Sequence, residues 1–199
     1  MEYNFSQRIA DLKPSAIREI FKSLTDPQII SFAAGNPSPE SFPAKELSHI
    51  SADIFAHSST AALQYSITEG YTPLREEIAK RQQNKFGIGA TDDSTMIVSG
   101  GQQGIELACK VFCNEGDTVI CENPSFIGAL NAFRSNGATV AGVTLDDDGM
   151  NIEELEALIK STPNARLIYV IPRSTIPAAS PRPTKSASEF TSLPRSTVL

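Results

Sequence analysis

From Arg173 to Leu199 the chain has no glycine and shows neither helical nor strand periodicity; 14 of these 27 residues are Ser, Thr or Pro. Only one lysine, Lys185, follows Lys160. A tail of this kind buries too little apolar surface to offset the entropy of ordering it, so disorder or poor packing is expected there. Excess basic charge is also missing. The net charge of −6 and the pI near 5.0 argue against nucleic acid, and no basic stripe interleaved with aromatics occurs. There is no apolar run long enough to cross a membrane. Met1-Glu2-Tyr3-Asn4-Phe5 lacks a basic start and an apolar core, so no secretory signal is visible and a cytoplasmic setting is expected. Cysteine is scarce and odd in number. Cys109 and Cys113 stand one helical turn apart, with neither His49 nor His57 near them in sequence. A metal or redox pair is one reading; small buried residues in a reducing compartment is the preferred one.

What is present before Pro172 is orderly. Ser6 can cap a short helix, and Pro14 opens another with Ile17, Ile20, Phe21 and Leu24 on one face. A short strand at Ile29–Ala33 leads into the Gly/Pro-punctuated loop SFAAGNPSPESFP, residues 31–43, and a helix is expected near Lys45–Ala56. A second loop spans 63–73. Thr72-Pro73 then starts a helix, with Thr at the N-cap, Pro at the first helical position and Glu76 and Glu77 near the positive end; it stops near Gly87.

From there strands and helices alternate. Thr95–Ser99 reads as a strand and Gly101–Cys113 as a helix; Thr118–Glu122 is a strand and Ser125–Asn136 a helix ended by Gly137. Thr139–Leu145 is a strand, Asn151 caps a helix to about Lys160, and Ala165–Ile171 is a strong strand. This pattern predicts an α/β fold with a largely parallel sheet between helices. The acidic turn Asp146-Asp147-Asp148-Gly149 lacks the later ligands of a calcium loop and reads as a solvated turn.

Chemistry concentrates at Ser99-Gly100-Gly101-Gln102-Gln103-Gly104, where a strand meets a helix. Glycines let the backbone approach a ligand, and a helix N-terminus offers unpaired N–H groups and a positive dipole end. Physically this is a phosphate cradle. It has neither the Gly-Lys-Ser/Thr of a nucleotide loop nor the glycine spacing of dinucleotide folds. Taken alone, a tight strand-to-helix turn explains it about as well. The next strand ends in Glu122-Asn123-Pro124-Ser125-Phe126, which can hold an aromatic ring over a flat heterocycle bound at the cradle. Taken alone, Phe126 is more often a core residue.

Four pieces in order resemble the class I and II, fold-type I pyridoxal-phosphate (PLP) aminotransferases, especially the aminoadipate-aminotransferase-like branch. They are Gly35-Asn36-Pro37; Leu63-Gln64-Tyr65-Ser66 with Gly70-Tyr71-Thr72-Pro73-Leu74-Arg75; Ser-Gly-Gly-Gln-Gln; and Glu-Asn-Pro-Ser-Phe. The resemblance covers residues 5–172. It implies an N-terminal helical arm and small-domain elements over 1–60. Residues 61–172 would be the first part of a three-layer α/β/α PLP-binding large domain, and 173–199 a tail foreign to it. It further implies that Gly101 and Gln102 bind the PLP phosphate through backbone and side chain, and that Phe126 stacks on the pyridine ring where Tyr is common. Tyr65 would reach the partner's phosphate across a homodimer interface, although the same fold also allows a half-buried interface aromatic there. Gly35 and Asn36 would lie beside the substrate.

The family continues past RLIYVIP with an Asn-Pro-x-Gly turn. An Asp for the pyridine nitrogen, a Schiff-base Lys and an Arg for the substrate carboxylate follow. None can be assigned here, and Lys185 sits in Pro-Arg-Pro-Thr-Lys-Ser without strand context. Read from the third base of each codon, Thr175-Ile176-Pro177-Ala178-Ala179 permits Asn-Pro-Ser-Gly. The same offset through Thr184–Pro194 permits an amphipathic helix. Two matches in register point to a one-base slip near codons 172–173. The expectation is therefore part of an enzyme that moves an amino group between an amino acid and a 2-oxo acid by a ping-pong mechanism, with this polypeptide itself inactive. Two alternatives stay open: a non-catalytic module that binds phosphate weakly, or another PLP enzyme of the same fold, a lyase or decarboxylase.

Overall fold

The computed structural model describes residues 3–10, 37–147 and 149–171. Along the chain these form α1 (Gln7–Ala10), a 3-10 turn (Pro39–Ser41), α2 (Ala44–His57), α3 (Ser59–Leu63), α4 (Thr72–Phe86), α5 (Gly101–Phe112) and β1 (Thr118–Asn123). Then come α6 (Ile127–Ser135), β2 (Thr139–Asp146), β3 (Gly149–Met150), α7 (Ile152–Ser161) and β4 (Ala165–Tyr169). The expected helix after Pro14, the strand Ile29–Ala33 and the tail 173–199 lie outside the described residues. Two compact units result: residues 3–10 with 98–171, and residues 37–97.

In the first unit the strands lie in the order β3-β2-β1-β4. β1 pairs in parallel with β2 on one side and β4 on the other, while β3 joins β2 antiparallel, Leu145 opposite Met150. Successive side chains of a strand point to opposite faces, and β1 uses both. Val119 packs with Cys109 of α5 and with Ala129 and Phe133 of α6. Its neighbour Ile120 packs with Val143, Met150 and Leu155, the last on α7. β4 and the residue after it alternate in step: Leu167 and Tyr169 lie against the first cluster, Ile168 and Val170 against the second. Two helices cover one face and one helix the other, the three-layer arrangement expected from a strand apolar on both faces.

Local chemistry explains where the elements stop. Gly87, with φ +65°, adopts the left-handed conformation that ends α4, and its N–H returns to the Gln82 and Gln83 carbonyls. Asn151 caps α7: its side-chain oxygen accepts from the Glu154 N–H at 2.9 Å. The Glu154 carboxylate in turn accepts from the Thr144 N–H at 2.9 Å, tying the helix start to β2.

Residues 37–97 carry α2, α3 and α4, and no side chain described in these helices is buried. Leu47, Ile50 and Ile54 form an exposed apolar stripe along α2. The loop after α3 is pinned where the Ile97 N–H donates to the Glu69 carbonyl at 2.9 Å, and the Arg75 guanidinium donates to the Thr95 carbonyl.

Five details differ from the sequence reading. Thr95–Ser99 forms no strand, because it has no ladder partner among the described residues. α4 begins at Thr72 with Tyr71 as its N-cap, one residue earlier than expected, and no side chain caps it. Proline lacks an N–H and fits the first turn in either register. α6 begins at Ile127, with Phe126 at the N-cap. α3 and β3 were not anticipated.

Candidate cofactor-phosphate site

In parallel sheets, ligands sit beyond the carboxyl ends of the strands, where helices begin. Here β1 ends at Asn123, a short turn through Pro124 and Ser125 follows, and α6 starts after Phe126. The Asn123–Pro124 peptide is cis. α5 starts after Gly100, whose φ of +86° turns the chain sharply into the helix. A β-carbon placed on Gly100 or Gly101 would meet no atom within 4 Å, so the space in front of this turn is open.

The two helix starts are joined. Gln102, the second residue of α5, donates its side-chain Nε2–H to the Gly128 carbonyl of α6 at 2.9 Å. A β-carbon on Gly128 would stand 2.5 Å from the Gln102 Oε1 and 2.5 Å from the Phe126 ring edge. Both atoms therefore lie within 2.5 Å of one point and at most 5 Å from each other. Phe126 is half-buried and packs against the Cys109–Val119–Phe133 core. It both packs on the core and shares the space beside Gly128 with the Gln102 carboxamide. The backbone N–H groups of Gly101, Gln102, Ile127 and Gly128 donate to no acceptor among the described residues. They are the ordinary orphan donors of helix first turns, and the Gln102–Gly128 hydrogen bond ties the two first turns together. Beside them the Ser125 hydroxyl is buried without a hydrogen-bond partner among the described residues.

Chemically this arrangement suits an anion carried on a flat ring. Burial pushes the thiols of Cys109 and Cys121 up to about 11. Thiols so protonated are poor metal ligands and poor nucleophiles. Among the described residues no group of three or more His, Cys, Asp or Glu side chains could hold a metal ion. No described helix is long and apolar enough to cross a membrane.

Of the residues singled out in the sequence, Gly101, Gln102 and Phe126 come together here. Tyr65 belongs to the other unit, in the loop after α3, with its side chain fully exposed. Gly35 and Asn36 lie outside the described residues. Sequence reasoning missed Gly128. Its one available signal was a glycine in a helical first turn, where helix propensity disfavours it and a close packing contact is the usual reason.

The model of the aminotransferase class I and II family matches residues 27–174. This chain belongs to the class I and II aminotransferases. The family is PLP-dependent. Aromatic-amino-acid aminotransferase 1 of Thermococcus litoralis is 35% identical over 181 residues, 89% of this chain and 43% of that protein. The 2-aminoadipate transaminase of Thermus thermophilus is 38% identical over 168 residues, 84% of this chain and 41% of its own length. The crystal structure of Pyrococcus horikoshii kynurenine aminotransferase, a complex with PMP and kynurenine, superposes with a TM-score of 0.86. Its identity is 34%, over 95% of this chain and 48% of that one. The chain thus spans less than half the length of the aminotransferases it matches.

Proposed function

We propose that this polypeptide carries the phosphate-binding and ring-holding part of a PLP-dependent aminotransferase that transfers an amino group between an amino acid and a 2-oxo acid. The observation that supports it is the convergence of Gln102, Gly128 and Phe126 at the open Gly100–Gly101 turn. The phosphate end of PLP fits the residues present: a glycine turn with free space, two helix N-termini and orphan N–H donors. When bound, PLP acts as an electron sink for the α-carbon of an amino acid. The backbone N–H groups of Gly101 and Gln102 hold the phosphate end, and the Phe126 ring fixes the heterocycle and keeps water from that face. In a homodimer, Tyr65 of the partner subunit completes the phosphate site, and Gly35 and Asn36 contact substrate. Residues 1–60 supply the arm and small-domain elements, and 61–172 the partial large domain, in a cytoplasmic setting.

The 199 residues offer no lysine in the family's strand context to anchor the cofactor and move the α-proton. That absence favours a second reading, in which this polypeptide alone is a weak phosphate-binding module. Titration with PLP followed by borohydride reduction separates the two. A reversible spectral change with no single reduced lysine fits the proposal for the isolated chain. One stoichiometric lysine adduct with turnover would overturn the inactive reading. No interaction with PLP would remove the cofactor assignment. Sequencing the DNA downstream of codon 172 in all three frames tests the one-base slip: an Asn-Pro-x-Gly turn and later lysine in an offset frame support it.

A further inference from the structure

The Gln102 carboxamide is already engaged. Its Nε2–H is given to the Gly128 carbonyl, and its Oε1 sits in the space a Gly128 β-carbon would take. The same space borders the Phe126 ring edge, with the hypothetical β-carbon 2.5 Å from Cε1 and 2.6 Å from Cζ. We infer that Gly128 is a positioning residue for the cofactor ring, and that the Gln102 side chain works through Gly128 and Phe126 rather than as a direct phosphate ligand. This rests on the PLP reading above.

The physical case is one of space and direction. Three groups from two helix starts share one small volume, and only a residue without a β-carbon leaves room for them. Contacts under 3 Å between a real β-carbon and a ring carbon essentially do not occur, so Ala at 128 must displace the carboxamide, the ring, or both. The carboxamide is exposed at the end of a flexible side chain and can move; the half-buried Phe126 ring packs against the core and is harder to displace. The hydrogen bond fixes the separation of the two helix starts and so the attitude of the ring relative to the glycine turn. By helix propensity alone, Gly128→Ala favours α6. A loss of ligand affinity from that substitution therefore runs opposite to its effect on the helix.

The test uses the full chain and two probes that cannot form a Schiff base: 4-deoxypyridoxine 5′-phosphate and the same ring without phosphate, 4-deoxypyridoxine. Affinities are read by ligand-observed NMR titration, which reaches weak binding. Gln102→Ala should weaken both probes by a similar factor, roughly three- to tenfold, the size of one lost hydrogen bond. Gly128→Ala should weaken both at least as much. Gln102→Ala combined with Gly128→Ala should recover part of that loss, because the shorter side chain vacates the contested space. If Gln102→Ala weakens only the phosphorylated probe, Gln102 is a direct phosphate ligand and the inference is overturned. If Gly128→Ala leaves both affinities unchanged, Gly128 does not position the ring. If the unaltered chain binds neither probe, the PLP reading itself fails, and the inference with it. Gln102 is exposed, so its variant keeps the test decisive even where Gly128→Ala fails to fold.

Discussion

Val119 and Ile120 are adjacent in β1, both fully buried, and belong to different cores. The peptide between them is the boundary between the α5–α6 layer and the α7 layer. Trimming either side chain opens a cavity against only one of those layers.

Ile120→Ala should destabilise the first unit by about 2–5 kcal/mol and Ile120→Val by about 0.5–1.5 kcal/mol, the usual costs of removing buried methyl groups. Urea titration followed by circular dichroism measures both. Equal, negligible costs for the two variants would mean that α7 does not pack on the sheet.

Asn151→Ala should cost about 1 kcal/mol, because it removes the acceptor of the Glu154 N–H. Asn151→Asp keeps that acceptor and should cost less, although the Asn151 side-chain N–H also donates to Asp146 at 2.9 Å and would be replaced by a like charge. A cost for Asp as large as for Ala would show that the Asp146 contact, not the cap, dominates.

Burial raises the thiols of Cys109 and Cys121 from 9.0 to about 11, and raises Cys113 and the Tyr169 phenol as well. An acid whose pKa is raised by folding holds its proton more tightly in the folded state. Its contribution is complete below pH 9 and is lost as pH rises toward 11. The urea midpoint should fall across that window, and the fall should shrink in Cys121→Ala. In neutral buffer, alkylation of Cys109 and Cys121 should be slow when folded and fast in urea. Rapid alkylation of the folded chain would place these thiols at the surface.

The isolated polypeptide should show no transaminase turnover with any amino donor, measured by coupled 2-oxo-acid production. A polypeptide encoded in the offset frame after codon 172 should gain both turnover and a single borohydride-fixed lysine. Turnover by the 199-residue chain would defeat this expectation.

Much of the fold was legible because its signals are local. Gly87, Gly137 and Asn151 mark helix ends by their own backbone and side-chain preferences. After Arg166, LIYVIP is apolar at every second and every intervening position, the signature of a strand covered on both faces. Thr95–Ser99 looked like a strand for the same reason, yet a strand exists only with a ladder partner. β3 was invisible because two residues carry no periodicity; its pairing depends on Leu145 and Asp146 across a turn. α3, five residues of STAAL, is likewise too short to show a helical face. Gln102 and Phe126 could be named from motif order. Gly128 could not, since its meaning lies in a contact bridging 26 positions.

The central place of β1 also sets a clock. Its amides are flanked by β2 and β4, so exchanging them with solvent deuterium requires one neighbour to detach, whereas β3 needs only a local fray at the rim. Among the described residues, hydrogens at 119–121 should be the last to exchange and those of 149–150 among the first. The interval between them measures how far the rim can breathe while the strand that ends at the cofactor turn stays whole.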